Sequence, residues 1–137
     1  MKKKEKIDSS LPRISFSAID TYLRCPRQYY FSYVLKIKSP PGIALLEGSS
    51  HHKAFEENNK QKISKGRDMK AGQLTEIFKE EFRAKLKTEE KVVWGDEKED
   101  EIFTRGKSWH QNYISDFASQ IEPVNVEEKF ELPMDVG

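Results

Sequence analysis

Proline and glycine divide this chain of 137 residues into segments of helical length. Pro26 disfavours helical geometry at the residue before it and suits the first turn of a new helix. The run SPPG at residues 39–42 is a break, and the polar stretch 66–72 is a linker. Pro123 ends the last of these segments. The breaks therefore predict a succession of helices up to that proline.

Apolar spacing within the segments predicts the helices themselves. The first is expected to start with Ser17 as its N-cap, and the second should run from Pro26 to about Leu35. Two amphipathic stripes, over residues 74–86 and 102–121, predict later helices. In the two short helices, the side chains expected to face the interior are Ile19, Tyr22, Leu23, Tyr29, Tyr30, Phe31 and Tyr33.

A longer helix is predicted over residues 43–63. Adjacent residues on a helix are about 100° apart, so its two neighbouring histidines must point in different directions. His51 is expected to lie at the surface. His52 shares a face with Leu45, Phe55 and Glu56, and this face is expected to point towards residues 124–134 or the open side where the sheet is missing.

The end of the chain has a different period. Val124, Val126, Phe130 and Leu132 lie on one side of an alternating run, so residues 124–134 are predicted to form a strand. A lone strand leaves backbone donors and acceptors unpaired and is marginal without a partner. The predicted fold class is mostly α with a short C-terminal β-strand or hairpin, and the chain is expected to stop as a sheet begins.

Composition narrows the class of protein. No run approaches the ~18 apolar residues of a membrane span, and the basic start MKKKEK is not followed by the apolar part of a secretory signal. The single cysteine, Cys25, excludes an internal disulfide, so a reducing cytoplasm is the expected compartment. Residues 1–13 are predicted to be a disordered basic tail, and residues 14–137 one domain.

Charge is unevenly distributed along the chain. Residues 1–38 carry nine Lys and Arg against three Asp and Glu, whereas residues 89–137 carry five against thirteen. The basic part could bind DNA by neutralising phosphates, with Arg24, Arg27 and Lys53 as candidate contacts. The interleaved aromatic residues could stack on unpaired bases, although a packed core is the preferred interpretation. Two solvated faces that attract each other remain an equal alternative.

Two short signatures lie close together in the first half of the chain. Cys25 and Pro26 are followed by aromatic residues, and Gly48 is followed four residues later by His52 and then by a Phe-Glu pair. Together they resemble the N-terminal helical part of RecB-like nucleases in the PD-(D/E)XK superfamily, including AddAB/RecB-type and CRISPR-adaptation nucleases. Glu127 followed by an aromatic residue resembles the first strand of that family.

The resemblance implies roles for individual residues. His52 would be a ligand of the catalytic divalent metal, Mg or Mn, and Glu56 and Glu127 would support it. Some family members hold an iron–sulfur cluster through a cysteine at the position of Cys25 and three others. This chain has one cysteine and cannot form such a cluster alone. For His52 and Cys25, ordinary packing remains the competing interpretation.

The family's remaining catalytic residues are an Asp on one strand and an acidic-x-Lys triplet on the next, which hold the metal that activates water. Asp116 and the Glu127–Lys129 triplet imitate this spacing, but Asp116 lies inside a predicted helical stripe. The implied protein is the N-terminal portion of an α/β metal-dependent DNA nuclease, truncated before the catalytic sheet and inactive alone.

Such an exonuclease or endonuclease would act on DNA in repair, recombination, phage or CRISPR systems, with other subunits of such a complex as partners. The alternative function is a non-catalytic nucleic-acid-binding or helical interaction module. The two differ in whether an Asp and an acidic-x-Lys triplet act together with His52.

Overall fold

The computed structural model describes residues 14–128, which fall into two compact units. Residues 14–39 form the first unit, and residues 40–128 form the second. The described part is mostly helical, as predicted. No helix in it combines the length and the apolar character needed to cross a membrane.

The first unit contains two short helices. Helix α1 (Phe16–Arg24) starts after Ser15, whose extended backbone lets its Oγ accept a hydrogen bond from the Ala18 amide at 3.2 Å. The N-cap is therefore two residues earlier than predicted. Helix α2 (Pro26–Tyr29) starts at the proline, as expected, and continues as a single π-helical turn over Tyr30–Val34.

The side chains predicted to face inward in the first unit are largely exposed, so that prediction is wrong. Leu23 is 77% exposed, and Ile19, Tyr22, Tyr30, Phe31 and Tyr33 are also exposed. Helices of nine and four residues have too little surface to enclose one another's apolar faces. The tyrosines instead pack ring against ring along the surface, with Tyr29 stacked on Tyr33 at 5.1 Å between centroids.

The second unit is built on three longer helices. They are α3 (Ile43–Lys65), α4 (Ala71–Thr88) and α5 (Glu99–Asn112), and α4 packs against both of the others. Gly66 ends α3 in the left-handed conformation (φ 68°), which glycine adopts without a steric penalty. After α5 the chain continues through a π-helical turn (Tyr113–Phe117) and a 3₁₀ turn (Ala118–Gln120). The predicted helices are confirmed in this unit.

The core of the second unit lies around α4. Leu74, Phe78 and Phe82 are fully buried there, and the side chain of Ile102 closes the core from α5. A parallel bridge between Gly42 and Val93 joins the start of α3 to the α4–α5 connection through two backbone hydrogen bonds of 2.9 Å. The remaining core residues are Ile43, Leu46 and Ala54 of α3.

Helix α3 buries the face that carries His51. Leu45 is 65% exposed and His52 is also exposed, whereas His51 is buried at 5% exposure. The expectation that His51 lies at the surface is therefore wrong. The reason is tertiary, because the ring of Phe78 from α4 stacks on the His51 ring with 4.1 Å between centroids.

The predicted C-terminal strand is absent from the part of it that the structure describes, residues 124–128. There Asn125 donates a side-chain hydrogen bond to Glu128 at 2.9 Å and accepts one from the Val126 amide at 2.9 Å. Local bonds of this kind compete with a strand ladder. Residues 129–134 of the predicted strand and the predicted tail 1–13 lie outside the described residues.

Candidate functional site

An open groove lies between α3 and α4 and contains the histidine singled out by the sequence. Its volume is about 330 Å³. It is reached from solvent, so a large substrate can approach its walls. We call it the α3–α4 groove; its lining residues are Ser49, His52, Lys53, Glu56, Glu81, Lys85 and Glu127.

Two of the predicted site residues meet in this groove. His52 Nε2 lies 3.2 Å from Glu127 Oε1, and the two side chains are 62% and 55% exposed. Adjacent ligands of an octahedral Mg²⁺, each ~2.1 Å from the metal, are about 3 Å apart. The pair is thus spaced like two neighbouring ligands, and the same distance also suits a simple hydrogen bond.

A complete metal site is not formed by the described residues. Between residues 14 and 128, no group of three or more His, Cys, Asp or Glu side chains is placed to hold a metal ion. His52 and Glu127 fit the nitrogen and oxygen donors that Mn²⁺ accepts, and they supply two ligands.

Glu56 is engaged by lysines rather than by the His52 ring. Lys60 and Lys53 both donate to its carboxylate, the latter at 3.2 Å, and these hydrogen bonds hold the pKa of Glu56 below its usual value. Lys53 also pairs with Glu57 at 2.9 Å. Lys53, a predicted DNA contact, is therefore already neutralised by two carboxylates on its own helix.

Lys85 is a groove residue that the sequence did not reveal. Its Nζ donates to Ser49 Oγ at 2.8 Å, across from α4 to α3, and lies 3.2 Å from Glu81 Oε1. In the sequence it is one of several lysines on the polar face of an amphipathic helix. No local pattern distinguishes it from the solvated ones.

The other predicted residues lie elsewhere. Cys25 is exposed at the junction of α1 and α2, which contradicts the interpretation of a buried cysteine. Arg24 pairs with Asp20 at 2.9 Å, and the Arg27 guanidinium lies 5.7 Å from the centre of the Phe31 ring. Asp116 is exposed on the π-helical turn after α5, inside the predicted helical stripe.

The sequence of this chain matches the model of one protein superfamily. A family model described as the PD-(D/E)XK nuclease superfamily matches residues 13–136. The chain belongs to this superfamily. Membership confirms the superfamily part of the sequence prediction.

One relative of this PD-(D/E)XK chain is "Gene 69 protein" of Mycobacterium phage L5, with 33% identity over 72 residues. The similar stretch covers 53% of this chain and 24% of that protein, so it spans about a quarter of the relative's length. No solved structure matches the chain.

Between its three long helices, the PD-(D/E)XK chain contains a buried histidine pair that no sequence pattern indicated. His110 is fully buried on α5, and its Nε2 lies 3.0 Å from Nδ1 of His51. On its other side, His110 Nδ1 lies 3.0 Å from the hydroxyl of Thr75 on α4. The pair therefore connects all three long helices.

The direction of each hydrogen bond in the series His51–His110–Thr75 follows from the bond that Thr75 donates. The Thr75 hydroxyl donates to the Ala71 carbonyl at 3.0 Å, so it accepts from Nδ1–H of His110. His110 Nε2 then accepts from Nδ1–H of His51. His51 Nε2 is left without a partner, 3.8 Å from a carboxylate oxygen of Glu47.

Glu47 is itself buried and is held by Arg105 of α5. The guanidinium donates to both carboxylate oxygens, at 2.9 and 2.7 Å. Because Arg105 already neutralises Glu47, the carboxylate only partly favours protonation of His51. Burial dominates and lowers the pKa of His51, and burial together with the charge of a protonated His51 lowers the pKa of His110 to about 4.

We expect the stability of the second unit to fall in mild acid. An unfolded histidine has a pKa near 6.5, and the folded pKa of both histidines lies below it. Below about pH 6.5 the unfolded chain therefore binds more protons at these two positions than the folded chain does, down to about pH 4 for His110. Stability is therefore full above about pH 6.5 and decreases as the pH falls towards 4. The urea midpoint of unfolding, measured at neutral pH and near pH 5, tests this.

A glutamine variant provides the control. His110→Gln removes one buried titrating group, so its midpoint should depend less on pH than that of the parent chain. Equal midpoints at both pH values for the parent chain would contradict the prediction.

Proposed function

We propose that this chain is the helical part of a RecB-like, divalent-metal-dependent deoxyribonuclease, and that His52 is one of its metal ligands. The observation that carries the proposal is the 3.2 Å approach of His52 Nε2 to the Glu127 carboxylate in an open groove. Membership of the PD-(D/E)XK superfamily supplies the reaction class, hydrolysis of a nucleic-acid phosphodiester.

His52 and Glu127 would have different roles in metal binding. His52 presents a neutral imidazole nitrogen to the metal, and Glu127 either orients that ring or adds a carboxylate oxygen to the ligand set. Mg²⁺ or Mn²⁺, when bound, polarises the phosphate and activates a water molecule. Both side chains are more than half exposed, so DNA can reach them without a rearrangement of the helices.

Mn²⁺ binding by the purified chain tests the ligand assignment. His52→Ala and Glu127→Ala should each weaken binding by about tenfold or more, because each removes a contact that holds or orients the metal. Free Mn²⁺ can be followed by electron paramagnetic resonance during a titration. In the complete nuclease, His52→Ala should also abolish cleavage without changing the helical content.

Glu128→Ala is the matched control for Glu127→Ala. It removes the adjacent exposed carboxylate, which bonds to Asn125 and does not line the groove. We expect it to bind Mn²⁺ like the parent chain. If all three variants bound Mn²⁺ equally well, the metal assignment would be wrong.

A second candidate function is the binding of nucleic acid by the first unit. Arg24 and Arg27 are exposed beside exposed tyrosines, and cations interleaved with aromatic rings suit a single-stranded nucleic acid. Changing both arginines to alanine should lower the slope of log K against log salt by up to about 1.4 for single-stranded DNA, since each phosphate contact contributes about 0.7. Fluorescence anisotropy with labelled DNA measures this slope.

Lys65→Ala combined with Arg67→Ala removes the same charge from an exposed part of the second unit and is the control. An identical decrease in the slope for both pairs would show a general charge effect and contradict a contact at α1 and α2. Retained DNA binding in a chain with no Mn²⁺ site at His52 would favour the non-catalytic alternative.

A further inference from the structure

Lys85 provides a cation in the α3–α4 groove that has donor capacity left for a ligand. A lysine ammonium has three N–H groups; one donates to Ser49, and Glu81 lies 3.2 Å away as an ion-pair partner. The Ser49 hydroxyl directs its own proton to the Leu46 carbonyl at 3.1 Å, so its oxygen accepts from Lys85. The side chain is 28% exposed. Its position is thus set by neighbours on two helices while one N–H remains open to the groove.

Lys53, the other lysine of the groove, is less suited to binding an anion. It is held by Glu57 at 2.9 Å and Glu56 at 3.2 Å, both on its own helix. These bonds raise the pKa of Lys53 and neutralise its charge locally. An anion that enters the groove therefore meets Lys85 as the more available positive group.

The charge of the groove determines when an anion can enter. Its lining contains two lysines and three glutamates, and these five side chains have a formal balance of one negative charge. A divalent cation held at His52 and Glu127 would reverse that balance to one positive charge. Binding of an anion beside Lys85 should therefore depend on the divalent cation.

We propose that Lys85, positioned by Ser49, binds a backbone phosphate of DNA in the α3–α4 groove, and that it does so when a divalent cation is present. This inference rests on the proposed function, since it takes the ligand to be DNA and the cation to bind at His52. It adds a substrate contact on α4, outside the signatures on α2 and α3 that indicated a nuclease.

The test is the salt dependence of DNA binding by the full chain, measured with labelled single-stranded DNA from about 50 to about 200 mM KCl, with Mn²⁺ or with EDTA. In Mn²⁺, Lys85→Gln should lower the slope of log K against log salt by about 0.7, the value for one lost phosphate contact. Lys85→Arg should keep the parent slope. In EDTA, the parent chain and Lys85→Gln should coincide.

Lys79→Ala is the matched control. Lys79 also lies on α4 and pairs with a glutamate at 3.3 Å, but its ammonium lies over the Phe103 ring and not in the groove. Its loss should leave the slope unchanged. Lys85→Gln keeps a hydrogen-bond donor for Ser49, whereas Lys85→Ala does not. The two variants should give the same slope if the lost charge, and not a change in the fold, lowers it.

Two results would overturn the inference. They are a parent-like slope for Lys85→Gln in Mn²⁺ and an equal loss of slope in EDTA. Failure of the proposed function has a different signature. In that case His52→Ala binds Mn²⁺ normally, whether or not Lys85→Gln changes the DNA slope.

Discussion

His51→Ala should lower the free energy of unfolding by about 2–4 kcal/mol, whereas His52→Ala should change it by less than about 0.5 kcal/mol. The His51 ring is 5% exposed and stacks on Phe78 at 4.1 Å, so its removal leaves a cavity at the junction of three helices. It also removes the donor to His110 Nε2, which leaves a buried acceptor unsatisfied. The side chain of His52 is 62% exposed, so its removal costs few packing contacts and little stability.

Urea unfolding of both variants at neutral pH measures the difference. A double variant, His51→Ala with His110→Ala, separates the two causes. If the unsatisfied Nε2 acceptor of His110 contributes, the double variant should lose less free energy of unfolding than the two single variants together. The reason is that the double variant no longer contains this acceptor. Similar losses for His51→Ala and His52→Ala would contradict the burial described here.

Gly106→Ala should destabilise the chain by about 1–2 kcal/mol, although alanine is the better helix former by about 1 kcal/mol. A Cβ atom added at Gly106 would lie 2.7 Å from Cε1 of Phe78. Phe78 is fully buried and stacked on His51, so its ring has no room to move away. The steric penalty therefore exceeds the gain in helix propensity.

The same substitution at Gly48 should have the opposite sign. Gly48 lies within α3, and no described atom is within 4 Å of a Cβ added there. Gly48→Ala should stabilise the chain by about 0.5–1 kcal/mol. Thermal or urea unfolding of both variants gives the comparison, and Gly106→Ala in a Phe78→Leu background should recover part of its loss. Stabilisation by Gly106→Ala would show that the α4–α5 contact is looser than the structure indicates.

The start of α2 and the end of α3 were predictable to within a few residues because they depend on local chemistry. Pro26 lacks an amide hydrogen and restricts the residue before it, so a helix starts there whatever the surroundings. Gly66 accepts the left-handed conformation that ends α3. The superfamily could likewise be recognised from short signatures, since these involve residues close together in the chain.

The inward face of each helix was not predictable in the same way. The helical period places His51 and His52 about 100° apart, but it does not say which of them faces the core. The buried face of α3 carries the polar residues Glu47, Ser50, His51 and Asn58, so an apolar pattern could not identify it.

What the sequence determined by itself was local: the helix limits, the mainly α composition and the family signatures. Only the tertiary structure decided which histidine is buried and which lies in the groove. His51 is paired with His110, 59 residues away, and Glu47 with Arg105, 58 residues away. A buried polar group is stable only when such partners satisfy it, and partners so distant in the chain leave no periodic signal near the residue they hold. The approach of Glu127 to His52 was expected only from the family resemblance, because the residues next to each of them in the sequence do not indicate a contact.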